Sequence, residues 1–105
     1  MNKTTGTLKR NASSALLRAP VTAENTFASC NPERDYLFAV RPGVSASDAL
    51  SEASCVLFMV KAELDSAAMG DSVISQNQAW LLFKAIESAK AVVDAVHLGL
   101  DDVAV

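Results

Sequence analysis

Residues 44–70 read VSASDALSEASCVLFMVKAELDSAAMG, and this stretch decides the fold. Ser45 stands just before a helical apolar period, with Asp48 three residues on. In a capping box the serine hydroxyl accepts from the third helical N–H, and an acidic side chain, here Asp in place of the usual Glu, reaches back. The apolar positions then step by four and three: Ala46, Leu50, Ala53, Leu57, Val60, Leu64, Ala67. That spacing predicts a helix over 46–69 with a heptad-like seam in which small residues alternate with leucine. Gly70-Asp71 ends it, because glycine takes the left-handed C-cap conformation without a Cβ penalty.

Downstream, a second period runs through Ala79, Leu82, Ile86, Ala89, Val93 and Val96, with Lys84, Glu87, Ser88 and Asp94 on its polar face. It predicts a helix over 74–98, stopped by Gly99. Two long helices joined by a few residues lie antiparallel, which gives an αα-hairpin. Its expected core is Leu50, Ala53, Leu57, Val60 and Leu64 against Leu82, Ile86, Ala89 and Val93. Upstream, Tyr36-Leu37-Phe38-Ala39-Val40 alternates as a short strand or extended arm over 36–41, closed by Pro42-Gly43. Residues 1–35 show no sustained period and are expected to form a flexible tail, with a short helical turn around Ser13 to Arg18. The expected fold is thus mainly all-α, with the domain over 36–105.

Charge divides the chain just before the first helix. Residues 1–43 hold six basic side chains against three acidic ones, whereas residues 44–105 hold three lysines against nine carboxylates, a net −6. A surface of that sign repels phosphate backbones, so direct nucleic-acid binding is not expected. The first 23 residues carry no acid, a composition shared by transit peptides and disordered tails, and the tail is the reading adopted. A secretory signal is not expected, because Arg18 interrupts Ala15-Leu16-Leu17, and no apolar run approaches a bilayer span. The expected compartment is the cytoplasm, where Cys30 and Cys55 stay reduced; their spacing fits no redox or zinc pattern.

Catalytic chemistry finds no footing in this chain. His97 is the only histidine, and its place in the last predicted turn of the second helix suits a cation at a helix C-terminus. Glu63 with Asp65, and Asp101 with Asp102, do not share a helix face, and Gly43, Gly70 and Gly99 are isolated rather than a phosphate loop. The expectation is a non-enzymatic protein without cofactor or metal.

At 105 residues the chain has a core of marginal size, yet half its residues are apolar. The first helix carries Cys55, Phe58, Met59, Ala62 and Met69 off its seam, and the second carries Trp80 and Phe83. Each large side chain buried contributes roughly 1.5–3 kcal/mol, a substantial part of a total stability of ~5–15 kcal/mol. Two arrangements would cover them: the N-terminal segment folds back through Phe27, Leu37, Phe38 and Val40, or the hairpin pairs with a copy of itself or another protein as a four-helix bundle. The second is the main expectation, with Phe38, Val40, Cys55, Phe58, Met59, Ala62, Met69, Trp80 and Phe83 as the partner or dimer interface.

The segment Leu37-Phe38-Ala39-Val40-Arg41-Pro42-Gly43-Val44-Ser45, followed by Asp48-Ala49-Leu50 and Glu52-Ala53-Ser54, resembles a family of small proteobacterial domains found mainly in pseudomonads. Ala79-Trp80 and Glu87-Ser88-Ala89-Lys90-Ala91-Val92-Val93-Asp94 extend the likeness, which covers roughly residues 36–97. The resemblance includes a quorum-sensing antiactivator that is likewise small, helical and dimeric. It implies a homodimer that binds the ligand-binding domain of a LuxR-type transcription activator and blocks its dimerisation and DNA binding. The alternative is a structural or regulatory helical homodimer without a transcription-factor target.

Overall fold

The computed structural model describes residues 19–104, in the order β1 (Asn25–Ser29), β2 (Tyr36–Val40), α1 (Ala46–Ala68) and α2 (Gln76–Ala104). The helical turn expected around Ser13 to Arg18 lies outside the described residues. Ala46 and Ala49, at the start of α1, pack with Val92 and Val96, late in α2, so the helices run antiparallel as a hairpin. The core is made of small residues: among those described, the buried apolar side chains are six alanines and two valines.

α1 begins where its apolar period does, but by a different device from the one its sequence suggests. Ser45 makes no side-chain cap; the Ala46 N–H donates instead to the Pro20 carbonyl at 3.0 Å, so a distant piece of chain satisfies an orphan donor of the first turn. The reciprocal box occurs at α2, where the Gln78 N–H donates to Ser75 Oγ at 3.1 Å and the Ser75 N–H to Gln78 Oε1 at 2.8 Å. α1 ends in a Schellman arrangement: Gly70, at φ 84°, donates to Ala67 O, and the Asp71 N–H donates to Ser66 O.

Two departures from the sequence reading set the architecture. Residues 20–35 are not a tail. Val21 bridges Ser45, and β1 pairs antiparallel with β2 in the register Asn25↔Val40, Thr26↔Ala39, Phe27↔Phe38 and Ser29↔Tyr36. β2 is thus the expected extended arm, supplied with a partner strand. The hairpin turns at Asn31–Asp35, where Asn31 Oδ1 accepts from the Asp35 N–H and the Arg34 N–H donates to Asn31 O. Gly99 also does not stop α2, which runs on to Ala104.

The reason lies in a close approach. Residues 20–24, called the strap below, cross α2 where its side chains are smallest. Ala91 and Ala95 are buried, and a Cβ built on Gly99 would stand 1.8 Å from the Val21 carbonyl oxygen. Bare helix backbone lets the strap bond to it: the Ala23 N–H donates to Ala95 O at 3.0 Å, and just past the strap Asn25 Nδ2 donates to Ala91 O at 2.9 Å. Thr22, 2% exposed, fastens the other edge. Its N–H donates to Val44 O, its hydroxyl donates to Arg41 O at 2.7 Å and accepts from the Val44 N–H, and its carbonyl accepts from the Gly43 N–H.

Candidate interaction surface

The expected hairpin core divides in two. Ala53, Val60 and Ala89 are buried and Leu82 is half-buried, but Leu50, Leu57, Leu64, Ile86 and Val93 keep 41–45% of their surface in solvent. The seam is therefore offset: the small residue of each pair faces the neighbouring helix, and the large one stands at the flank. At about 100° per residue, positions seven apart drift by only ~20°, so Leu50, Leu57 and Leu64 share one flank of α1, and Ile86, Val93 and Leu100 one flank of α2. The two flanks meet on one side of the hairpin, where Leu57, Val60, Lys61, Leu64, Asp65, Ala68 and Ile86 line an open groove of about 450 Å³.

The residues expected at an interface are outward-facing, with one exception. On the outer side of α1, Cys55, Phe58, Met59, Ala62 and Met69 are all exposed, Phe58 by 70%. Trp80 and Phe83 are exposed and meet edge to face, ring centroids 5.7 Å apart. Such a pair contributes ~0.5–1.5 kcal/mol beyond its area. Phe38 stacks on Phe27 at 6.1 Å yet stays exposed, whereas Val40 is half-buried. Phe27, Ala28 and Phe38 face Lys84, Glu87 and Ser88 of α2 across a cavity of about 400 Å³. Of the residues named for a fold-back of the N-terminal segment, Phe27 is half-buried, but Leu37 and Phe38 remain exposed, so the sheet covers only part of α2.

Leu81 and Val73 are exposed large residues off the predicted stripes, Leu100 continues the second stripe past its expected end at 98, and the small-residue row Ala91, Ala95, Gly99 lies off it. The four-residue interval of that row was the available signal. Two ion pairs lie near these surfaces: Lys90 Nζ contacts Asp94 Oδ2 at 2.7 Å, and Lys84 Nζ lies 3.8 Å from Glu87 Oε1, which accepts no hydrogen bond among the described residues. Among the described residues no group of three or more His, Cys, Asp or Glu side chains is placed to hold a metal ion, and no helix is long and apolar enough to cross a membrane.

Residues 22–99 match a family described as Protein of unknown function (DUF3077). The chain belongs to that family. The DUF3077 match opens at Thr22, the buried threonine of the strap, and closes at Gly99, the residue over which the strap passes. The matched region therefore takes in the strap from Thr22, the sheet, α1 and α2 as far as Gly99, and begins well before the boundary at 36 expected from periodicity. No curated protein and no solved structure matches the chain.

Proposed function

We propose that this protein is a non-enzymatic regulator that acts through protein contact: it self-associates and holds a second protein on its exposed apolar residues. The observation that carries this reading is the inversion of size across its surface. Every buried apolar residue described is Ala or Val, while Phe58, Met59, Met69, Trp80, Leu81 and Phe83 are exposed. Monomeric proteins rarely leave contiguous apolar patches beyond a few hundred Å² uncovered, and aromatic residues and methionine are enriched where proteins bind one another.

The resemblance to the quorum-sensing antiactivator QslA supplies the target we propose: in the cytoplasm, the ligand-binding domain of a LuxR-type transcription activator such as LasR. An activator that reads a palindromic site needs two half-site contacts, so a partner that occupies its dimerisation surface removes DNA binding without touching DNA. The net −6 of residues 44–105 agrees with a role that avoids the phosphate backbone. Co-expression with such a ligand-binding domain tests the reading. A co-eluting complex that Phe58→Glu abolishes is expected. A stable dimer that captures none of several such domains would overturn this target and leave the alternative, a structural or regulatory homodimer.

A further inference from the structure

We infer that a second copy of this chain docks on the open side of the hairpin, through the ladder Leu50, Leu57, Leu64 of α1 and Ile86, Val93, Leu100 of α2, and that the outer side of α1 stays free in the dimer. The inference rests on the self-association proposed above and assigns its surface.

The hairpin has one side that the described chain covers and one that it leaves open. At about 100° per residue, Ile86 and Val93 stand roughly 40–60° to one side of buried Ala89, and Ala95 and Gly99 roughly 80–120° to the other. The strap lies on the Ala95 and Gly99 side. Nothing in the described chain covers the Ile86 and Val93 side, and the groove between Leu57, Leu64 and Ile86 opens there.

Three features fit a copy better than an unlike partner. Both helices repeat their large residues every seven positions, the interval at which side chains of one helix pair enter holes of another, so the surface can mesh with itself. The size is right: 23 residues of α1 make a helix of about 35 Å, and two helices side by side present a strip about 20 Å wide, roughly 700 Å² against the ~800 Å² per partner of a stable interface. At the lip of the groove Lys61 and Asp65 carry opposite charges one turn apart, so a copy meets no patch of a single sign there, although the hairpin as a whole is acidic. Such pairing also supplies what the described residues lack, a layer of fully buried leucine and isoleucine.

Leu57 and Met59 are two residues apart in sequence but roughly 160° apart around α1, which makes the assignment testable on the full chain by light scattering with chromatography. Wild type is expected at twice its 11.1 kDa chain mass. Leu57→Glu, and separately Ile86→Glu, should weaken self-association on the order of 100-fold with helical circular dichroism retained, as for a charge placed in a buried interface centre. Met59→Glu, on the outer side, should stay dimeric. A dimer that survives Leu57→Glu and Ile86→Glu but dissociates with Met59→Glu overturns the assignment and spares self-association; a monomeric wild type overturns both. Should the Leu57 and Ile86 variants fail to fold, the native Cys55 decides in a Cys30→Ser chain. Cys55 lies on the outer side of α1, so a bulky maleimide should label it at the same rate above and below the dissociation constant and leave the mass doubled. Protection of Cys55 in the dimer overturns the assignment.

Discussion

Where the strap crosses α2 the side chains shrink to Ala91, Ala95 and Gly99, while on the opposite flank of the same helix Ile86, Val93 and Leu100 stand out at a seven-residue interval. The covered side is held by directional bonds between backbones at van der Waals distance: Ala23 to Ala95, Thr22 to Val44, Ala46 to Pro20. Among the described residues the open side holds no such bonds to other chain segments and offers area instead. Hydrogen bonds with fixed geometry specify one arrangement within a chain, whereas a regular apolar ladder is a surface that a second molecule can fit. The two sides should therefore respond differently to substitution. A defect on the covered side lowers stability equally at every protein concentration, and a defect on the open side becomes larger as concentration rises.

The largest effect is expected at Gly99. In a helix interior, Gly→Ala ordinarily stabilises by ~0.8–1.0 kcal/mol. Here the new methyl carbon would stand 1.8 Å from Val21 O and 2.9 Å from Val21 C, which are backbone atoms and cannot rotate away. The strap has to lift, and lifting it breaks the Ala23 to Ala95 bond and pulls on Thr22. Gly99→Ala should therefore destabilise by about 3 kcal/mol or more, the upper range for overpacking together with a lost hydrogen bond. Thermal unfolding followed by circular dichroism checks this. An unchanged or raised midpoint would show that the strap does not press on α2.

Next comes Thr22→Val, which keeps the shape and removes the hydroxyl. The Thr22 hydroxyl both donates to Arg41 O and accepts from the Val44 N–H, so its loss leaves an acceptor and a donor beside a residue only 2% exposed. An unsatisfied buried group costs ~1–3 kcal/mol, and for a domain of this size each kcal/mol lowers the midpoint by about 4–8 °C. The shift should be the same at micromolar and at hundredfold higher concentration.

The sequence announced the helices and concealed the strap, for a physical reason. α1 and α2 follow from sustained apolar periods and from Gly70, signals that act within a few turns of chain. The strap is specified by nonlocal fit: Thr22 and Ala23 are unremarkable until the Arg41–Val44 turn and the Ala91, Ala95, Gly99 row are brought beside them. For the same reason Gly99 reads locally as a helix stop, although the structure uses it for backbone clearance inside a helix. Ser45 and Ser75 make the same point: each is followed three residues on by a side chain able to reach back, Asp48 or Gln78. Only Ser75 and Gln78 close the box, and at Ser45 the start of α1 is met by the Pro20 carbonyl. The outward residues Phe58, Met59, Met69 and Trp80 were legible as surplus, because a two-helix hairpin has no second layer to receive them. The offset that turns Leu50, Leu57 and Leu64 outward was not, since alanine and leucine in alternation fit either helix direction until the partner helix fixes which of them faces inward.

The smallest effect in dilute solution is expected at Leu57→Ala, and there the contrast between the two sides is most direct. A fully buried Leu→Ala change costs ~2–5 kcal/mol, but Leu57 is 44% exposed in the single chain and alanine is the better helix former, so a dilute sample should lose only about 1 kcal/mol. If a second copy covers the ladder, the same leucine is buried in the dimer, and its removal also weakens association. Wild type should then show a midpoint that rises with concentration, while Leu57→Ala stays nearly flat, so the two curves diverge as samples are concentrated. Thr22→Val gives the reference, a curve displaced downward but parallel to wild type. Parallel curves for Leu57→Ala would mean that its exposed surface stays in water and that the open side binds no copy. Divergence would place the missing apolar layer of this small core in a second molecule of the same chain.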